Sequence, residues 1–350
     1  MKKMFLLLLL SGVSTAAAIA QTLSEFKPKD QSYGLNKAKN ADRIYIAGFD
    51  VNFQVYNEKE DFKQGGHQLG GGMKNDASAS LSIGLEGLDE KTVIEITDKL
   101  YKEYTDKLKA KGLTIITADE AAGIESYEGY ERVKGGKINL AQIPGVMAVS
   151  PTEFEYFVKK IDKDGKEKKG GFLGNEAIKY AKMSKDLNDA IIGSVDITVL
   201  FVQDQNAFQG NGANIKVKTN LRIIASEGII STKDAKIKMK GQNEVTMVTS
   251  TVAFYHGKMG AGATTVYTGT LAKPIVISGV IEDTKVQSFA NTGYAQGTST
   301  IYGTFYSVRN NSNKNAKVIS VDPVKYSEGV YSGASKFLAF HTDGFLNALK

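Results

Sequence analysis

The 350-residue chain has no cysteine and only three histidines, and past its first twenty residues it has no apolar run long enough to cross a bilayer as a helix. Without cysteine there is no disulfide and no thiolate ligand for zinc. His67, His256 and His341 do not fall at the spacing of a zinc-binding helix, so a zinc site would need carboxylates brought together by folding. No metal and no cofactor is therefore expected. Excess charge of one sign is scarce as well: 44 basic against 38 acidic residues give +6, with lysine spread along the whole chain. So mild a balance does not point to nucleic acid as a partner. Folding has to rest on core burial, for which 42% hydrophobic residues are ample in one large domain or two closely packed ones.

What is present begins at the N-terminus. Lys2 and Lys3 precede an apolar stretch from Phe5 to Leu10, and Ala18-Ile19-Ala20 supplies the small residues of a cleavage site. That order predicts a secretory signal peptide over residues 1–20, cut before Gln21. The chain reads as exported, either periplasmic or associated with the outer membrane. No cysteine stands at the cut to accept a lipid anchor.

Residues 21–40 are polar and turn-rich, an extended leader. Structure starts at "RIYIAGFDVNFQVY", where the odd positions from Tyr45 to Val55 are apolar. The even positions change from Ile44 and Ile46 to Asp50, Asn52 and Gln54, which predicts a strand that begins inside a sheet and runs out of it. Beyond the glycines of "QGGHQLGGGMKNDASAS", Ala79, Leu81, Ile83 and Leu85 alternate with serines and a glycine. The two strands predict a β-hairpin arm over residues 51–85. An isolated ribbon needs cover for its apolar face, so Val51, Phe53, Val55, Leu81, Ile83 and Leu85 are the candidate partner-contact residues.

Downstream, Val93, Ile96, Leu100, Tyr104 and Leu108 recur at three- and four-residue steps, with Asp89 placed to cap and Gly112 to stop a long amphipathic helix. A short strand at "LTII" and a helix opened by Thr117 or Asp119 follow. Residues 130–172 form an insertion with a hairpin turning at Asp164-Gly165. A helix over about 175–189 leads into the strands "AIIGSVDITVLFV" and "NIKVKTNLRIIAS", then into further strands. Val330, Ala334, Phe337, Leu338, His341, Phe345 and Leu349 share one face of a C-terminal helix, where His341 is expected as a packed core residue. The expected fold class is α/β in the α+β sense: a mixed, largely antiparallel sheet flanked by helices, with the hairpin arm and the C-terminal amphipathic helix, as one domain over 41–350.

Catalytic motifs are sparse. The glycine-rich stretch is no phosphate cradle, because a strand separates it from the next helix and neither Gly-Lys-Ser/Thr nor G-x-G-x-x-G occurs. "DKDGKE" at 162–167 lacks the ligands of a calcium loop. There is no G-x-S-x-G elbow. The lysines around the Asp164-Gly165 turn, from Lys159 to Lys169, read as a solvated run. No catalytic residue is nominated and no enzyme is expected.

The order of elements, with the echoes "AIIGSV" and "NLRIIASEGII", resembles the periplasmic α/β domain of the curli-secretion channel (CsgG-like) family and its relatives with TolB N-terminal-like folds. That resemblance implies an export-related role, in which ring-forming subunits donate strands to an outer-membrane barrel. The chain departs from it in lacking a lipid-acceptor cysteine and in carrying the arm at 51–85 and the insertion at 130–172. The expectation is an exported cell-envelope structural or transport-accessory protein, working through a homo-oligomer or an outer-membrane protein partner, with membrane association but no insertion. The alternative is a soluble exported glycan- or peptide-binding protein, with a hydrolase in third place.

Overall fold

The computed structural model describes residues 21–63, 66–68, 72–74, 77–169, 176–205, 214–232, 243–289, 298–300, 303–305 and 317–349. The expected signal peptide and part of the glycine-rich tip lie outside them. In chain order the principal elements are β1 (Thr22–Leu23), β2 (Pro28–Tyr33), β3 (Arg43–Gln54), β4 (Tyr56–Lys63), β5 (Ala77–Glu86), α1 (Glu90–Ala110), β6 (Val146–Val149), α2 (Glu176–Asp186), β7 (Ile191–Gln205), β8 (Asn214–Ile223), β9 (Ser226–Thr232), β10 (Asn243–Thr249), β11 (Thr251–His256), β12 (Thr265–Leu271), β13 (Ile275–Ser278), β14 (Lys317–Ser320) and α3 (Pro323–Ala348).

A mixed, mostly antiparallel sheet dominates, and β7 is its axis. β7 is nearly continuous in apolar residues, as a strand covered on both faces must be. One edge pairs in parallel with β3 from Ile191 to Val199. The other edge is shared, first with β11 at Ile192–Asp196 and then with β8 from Val199 onward. The sheet therefore forks, into a branch β11–β12–β2 and a branch β8–β13–β1. The leader rejoins the branches: Thr22 and Leu23 pair with β13, Pro28–Tyr33 with β12, and between them Ser24 N–H donates to Val276 O at 2.9 Å.

β3 carries one residue more than β7 where Ile46 faces Gly193 and Gly48 faces Ser194. A one-residue insertion moves every later side chain to the opposite face. Ile44 and Ile46 enter the main core before it, and Phe49, Val51 and Phe53 after it. The switch to polar even positions is thus a change of face. β3 does not run out of the sheet, as the sequence pattern suggested, but stays paired to its end, with β7 through Phe53 and with β6 through Gln54. Asn52 and Gln54 are buried.

The hairpin arm forms, but one segment later than expected. β4 pairs with β5 from Tyr56–Gly84 to Lys63–Ala77, and β14 adds to β5 in parallel. At the corner the N–H groups of Val55 and Tyr56 both donate to Gly145 O, and Lys59 Nζ holds Asp204 at 2.6 Å. These contacts fold the arm back over β8 and β9. Val51, Phe53, Val55, Ile83 and Leu85 are at most 1% exposed, and Leu81 packs against the same cluster. The expected partner-contact face is corrected accordingly: the domain itself covers it, because the corner turns the ribbon inward.

α1 forms where its periodicity placed it, with Asp89 Oδ1 accepting from Thr92 N–H at 2.7 Å. It lies beside α3 on one face of the sheet, and Lys107 Nζ reaches Asp343 at 2.9 Å. Gly329 and Gly333 let α3 sit close, since a Cβ there would come to 2.7 Å from Ile277 and 2.9 Å from Ile223. His341 is the packed core residue expected: its Nε2 donates to Thr270 O at 2.9 Å and its Nδ1 accepts from Tyr267 OH at 3.0 Å. The opposite face is covered by α2 and the tyrosine-rich cluster of Tyr45, Tyr127, Tyr180 and Tyr255.

Where β7 passes from one branch to the other, its register shifts between Leu200 and Val202. Gln54 Oε1 accepts from both Phe201 N–H and Val202 N–H at 3.1 Å. Arg222 Nη2 donates to Val202 O at 2.9 Å, while its Nε and Nη2 grip Glu227. By contrast, Tyr104 OH has no partner in the core. Gln54→Leu is expected to destabilise the protein by about 2–4 kcal/mol, because it strands two buried N–H groups. Tyr104→Phe is expected to gain about 1 kcal/mol by removing an unpaired hydroxyl. Urea denaturation of both variants decides it: a Gln54→Leu midpoint equal to the wild type would show that the plug does not matter.

Burial lowers the pKa of His341, against the opposing pull of the Thr270 carbonyl and Asp30, and lowers that of His256, against Asp189. The folded chain refuses a proton that the unfolded chain accepts near pH 6.5. The contribution is therefore present above that pH and is lost as pH falls below it toward the folded values. Denaturation at pH 7.5, 6.5 and 5.5 should show a progressive loss, and His341→Gln should flatten the slope.

Candidate functional site: a polar cleft over β3, β6 and β7

The face switch in β3 lays a polar floor on the side of the sheet away from α1 and α3. In register, Asp50 lies beside Asp196, and Asn52 beside Thr198 on one side and Ala148 on the other. Asn52 Nδ2 donates to Asp196 Oδ1 at 3.0 Å, and Ser150 Oγ to Asp50 Oδ1 at 2.7 Å. Over this floor opens a cleft of about 740 Å³, within the range of ligand pockets. It continues past Lys169 into a smaller space of about 330 Å³ beside Tyr180 and Ser194.

The walls come from residues 131–169 and from β10. Glu131–Lys134 pairs with Glu155–Val158, and Ile138–Asn139 adds to β6 at the margin of the main sheet. Lys160–Ile161 pairs with Glu167–Lys168 around Gly165, whose φ of +83° suits the expected hairpin turn. Tyr156 OH donates to Glu167 Oε1 at 3.0 Å, and Lys169 Nζ donates to Asp50 Oδ2. Across the cleft, β10 contributes Thr246, Met247, Val248 and Thr249. It pairs with β9 alone among the described strands, and Met247 is 66% exposed.

Electrostatically the cleft runs against the rest of the chain. Asp50, Asp164, Glu167 and Asp196 line it with only Lys137 and Lys169 to oppose them. Burial works against the charge on Lys169, but the Asp50 carboxylate, with Asp196 and Glu167 beyond it, outweighs that and holds its pKa above the ordinary lysine value. Burial pushes Tyr156 up, and the Glu167 carboxylate adds to the effect.

No protein-family model, no curated protein and no solved structure matches this chain. The chemistry of the cleft has to be read from its own residues. Its floor offers hydroxyl, amide and carboxylate groups suited to a polar or cationic ligand, and its walls add apolar side chains such as Ile138, Leu140, Ile143 and Met247. His256 and His341 lie outside it, and among the described residues no group of three His, Cys, Asp or Glu could hold a metal.

None of the six residues nominated from the sequence is gathered here except through its strand: Val51 and Phe53 point into the core behind Asp50 and Asn52. A signal was nevertheless present. "DVNF" at 50–53 and "DITV" at 196–199 share one pattern, an acid, an apolar residue, a polar residue and an apolar residue, and they are the segments that lie side by side. The Lys169–Asp50 pair is partly exposed, so it contributes at most about 1 kcal/mol to folding. Asp50→Asn is expected to shift the urea midpoint little, and a loss of several kcal/mol would make the pair a structural element.

Proposed function

We propose that the chain is an exported cell-envelope protein that holds an extended peptide segment of a partner in the cleft over Asp50, Asn52, Asp196 and Thr198. The observation that carries this reading is a ligand-sized trough with an acidic floor and, at its rim, a strand with a single partner among the described strands. A strand such as β10 can accept an extended peptide by main-chain pairing, while side-chain pockets select among sequences. A peptide is favoured over a glycan because the rings at the cleft, Tyr156, Phe157 and Tyr180, are 6%, 7% and 6% exposed and present no stacking platform. Export rests on the signal-peptide pattern of residues 1–20.

This reading keeps the partner-dependent envelope role expected from the sequence but moves its contact surface from the arm to the cleft. The arm's apolar face is spent on the domain's own core. A photo-crosslinking amino acid placed at Met247, in the cells that make the protein, is expected to trap a discrete adduct. The same residue at Met259, equally exposed on the loop between β11 and β12 and not lining the cleft, should not. Equal labelling at both positions, or none at Met247, would overturn the reading.

A further inference from the structure

The hairpin that walls the cleft is attached to it almost wholly by polar contacts. Lys169 Nζ sits on Asp50, Tyr156 OH on Glu167, and Asn139 Nδ2 reaches Gly165 O at 3.4 Å. Lys179 Nζ donates to Lys169 O at 3.0 Å at the hairpin's end. Ile161, the one large apolar residue on the hairpin strands, is 39% exposed. The segment from Lys159 to Lys169 carries six lysines against Asp162, Asp164 and Glu167, so it keeps a net positive charge that gains from a nearby carboxylate surface. The Lys169 ammonium lies over the Tyr156 ring at 5.5 Å as well as against Asp50, so carboxylate and ring face together form a cation-accepting corner.

Building on the proposed cleft, we infer that Lys169 is an intramolecular stand-in for the ligand: its ammonium plugs the Asp50 corner of the trough, and a peptide bearing a lysine or arginine side chain displaces Lys169 from Asp50 and its neighbour Asp196. The Asp50 and Asp196 carboxylates act on this lysine from the floor, and Glu167 acts from the hairpin itself. Arginine can engage one carboxylate with two parallel hydrogen bonds, which lysine cannot, so a ligand arginine has a means of outcompeting the resident lysine. The partner chemistry is a basic extended segment. The plug sets a threshold, because ligand affinity falls by the fraction of molecules in which the corner is free.

The test is fluorescence anisotropy with a labelled alternating Ser-Arg octapeptide, with Ser-Glu and Ser-Thr octapeptides of equal length and a chitosan tetramer as comparisons. The wild type should bind the Ser-Arg probe, more weakly at high salt, since partly exposed charges are screened. Lys169→Met should tighten binding about tenfold, as expected if the plugged form holds about nine-tenths of the population. Asp196→Asn should weaken it by a similar factor, and Lys169→Met with Asp196→Asn should lose the gain. Thermal melts confirm that each variant folds.

If the Ser-Thr peptide binds as well as Ser-Arg, the cleft holds peptides without reading charge, and the inference fails while the proposed function stands. If Lys169→Met binds the Ser-Arg probe no better than the wild type, the plug is refuted. Preference for chitosan would replace the peptide by an amino sugar and overturn both the inference and the peptide reading. Absence of any binding to folded protein refutes the inference whatever Met247 traps.

Discussion

Everything in the fold follows from β7 being made to serve two half-sheets. A strand that changes neighbours midway must shift register, and the shift leaves main-chain groups inside the core without a ladder partner. Gln54 meets the two N–H groups and Arg222 the Val202 carbonyl, each from a strand that flanks β7. Leaving such groups unmet costs roughly 1–3 kcal/mol apiece, comparable with a fair share of a domain's net stability. A buried glutamine and a buried arginine are therefore structural necessities of the fork. Glu227 completes the arrangement by neutralising the guanidinium at the place where β8 gives way to β9.

The same axis positions the cleft. Because β3 and β7 are parallel neighbours, residues 146 apart in the sequence come to lie side by side, and the extra residue in β3 decides which face they share. Without that insertion Asp50 and Asn52 would point into the apolar layer under α1, and Val51 and Phe53 would be on the cleft side. The fork contributes the far wall. Once β7 has turned to β8, the chain preceding β11 is released from the main sheet, so β10 stands free of it and reaches the cleft with Thr246–Thr249.

Local features were legible in the sequence and pairings were not. α1 announced itself through its period and caps, because every contact that defines it lies within a turn or two of the same helix. The hairpin at Asp164-Gly165 and the core position of His341 were readable for the same reason. β3 misled because two different events, leaving a sheet and bulging within one, produce the same change in polar pattern. Register between distant strands discriminates them, and a single sequence does not carry it. The arm failed similarly: its alternation said that one face is covered, but the cover was fixed by Gly145, about ninety positions beyond the corner it holds. The Lys169–Asp50 pair spans 119 positions and was invisible in a run of lysines that reads as a solvated turn.

The main core and the proposed cleft occupy opposite faces of one sheet, with the tyrosine cluster covering the rest of the cleft face, and this separation lets a displaceable plug exist. Behind the sheet, α1 and α3 bury Phe49, Phe53, Tyr104, Phe254, Phe337 and Phe345 completely, with Phe254 and Phe345 stacked at 4.1 Å. Each such ring contributes a few kcal/mol, and the layer holds whether the cleft is open or closed. In front, the hairpin adds charged and hydrogen-bonded contacts that exchange readily for water, each worth about 1 kcal/mol net. A difference of that size is within the reach of one ligand side chain. The core could not yield in this way, because removing any of its rings would leave a cavity. A site able to trade its own lysine for another cation therefore has to sit where this one does, on the polar face that the inserted residue in β3 creates.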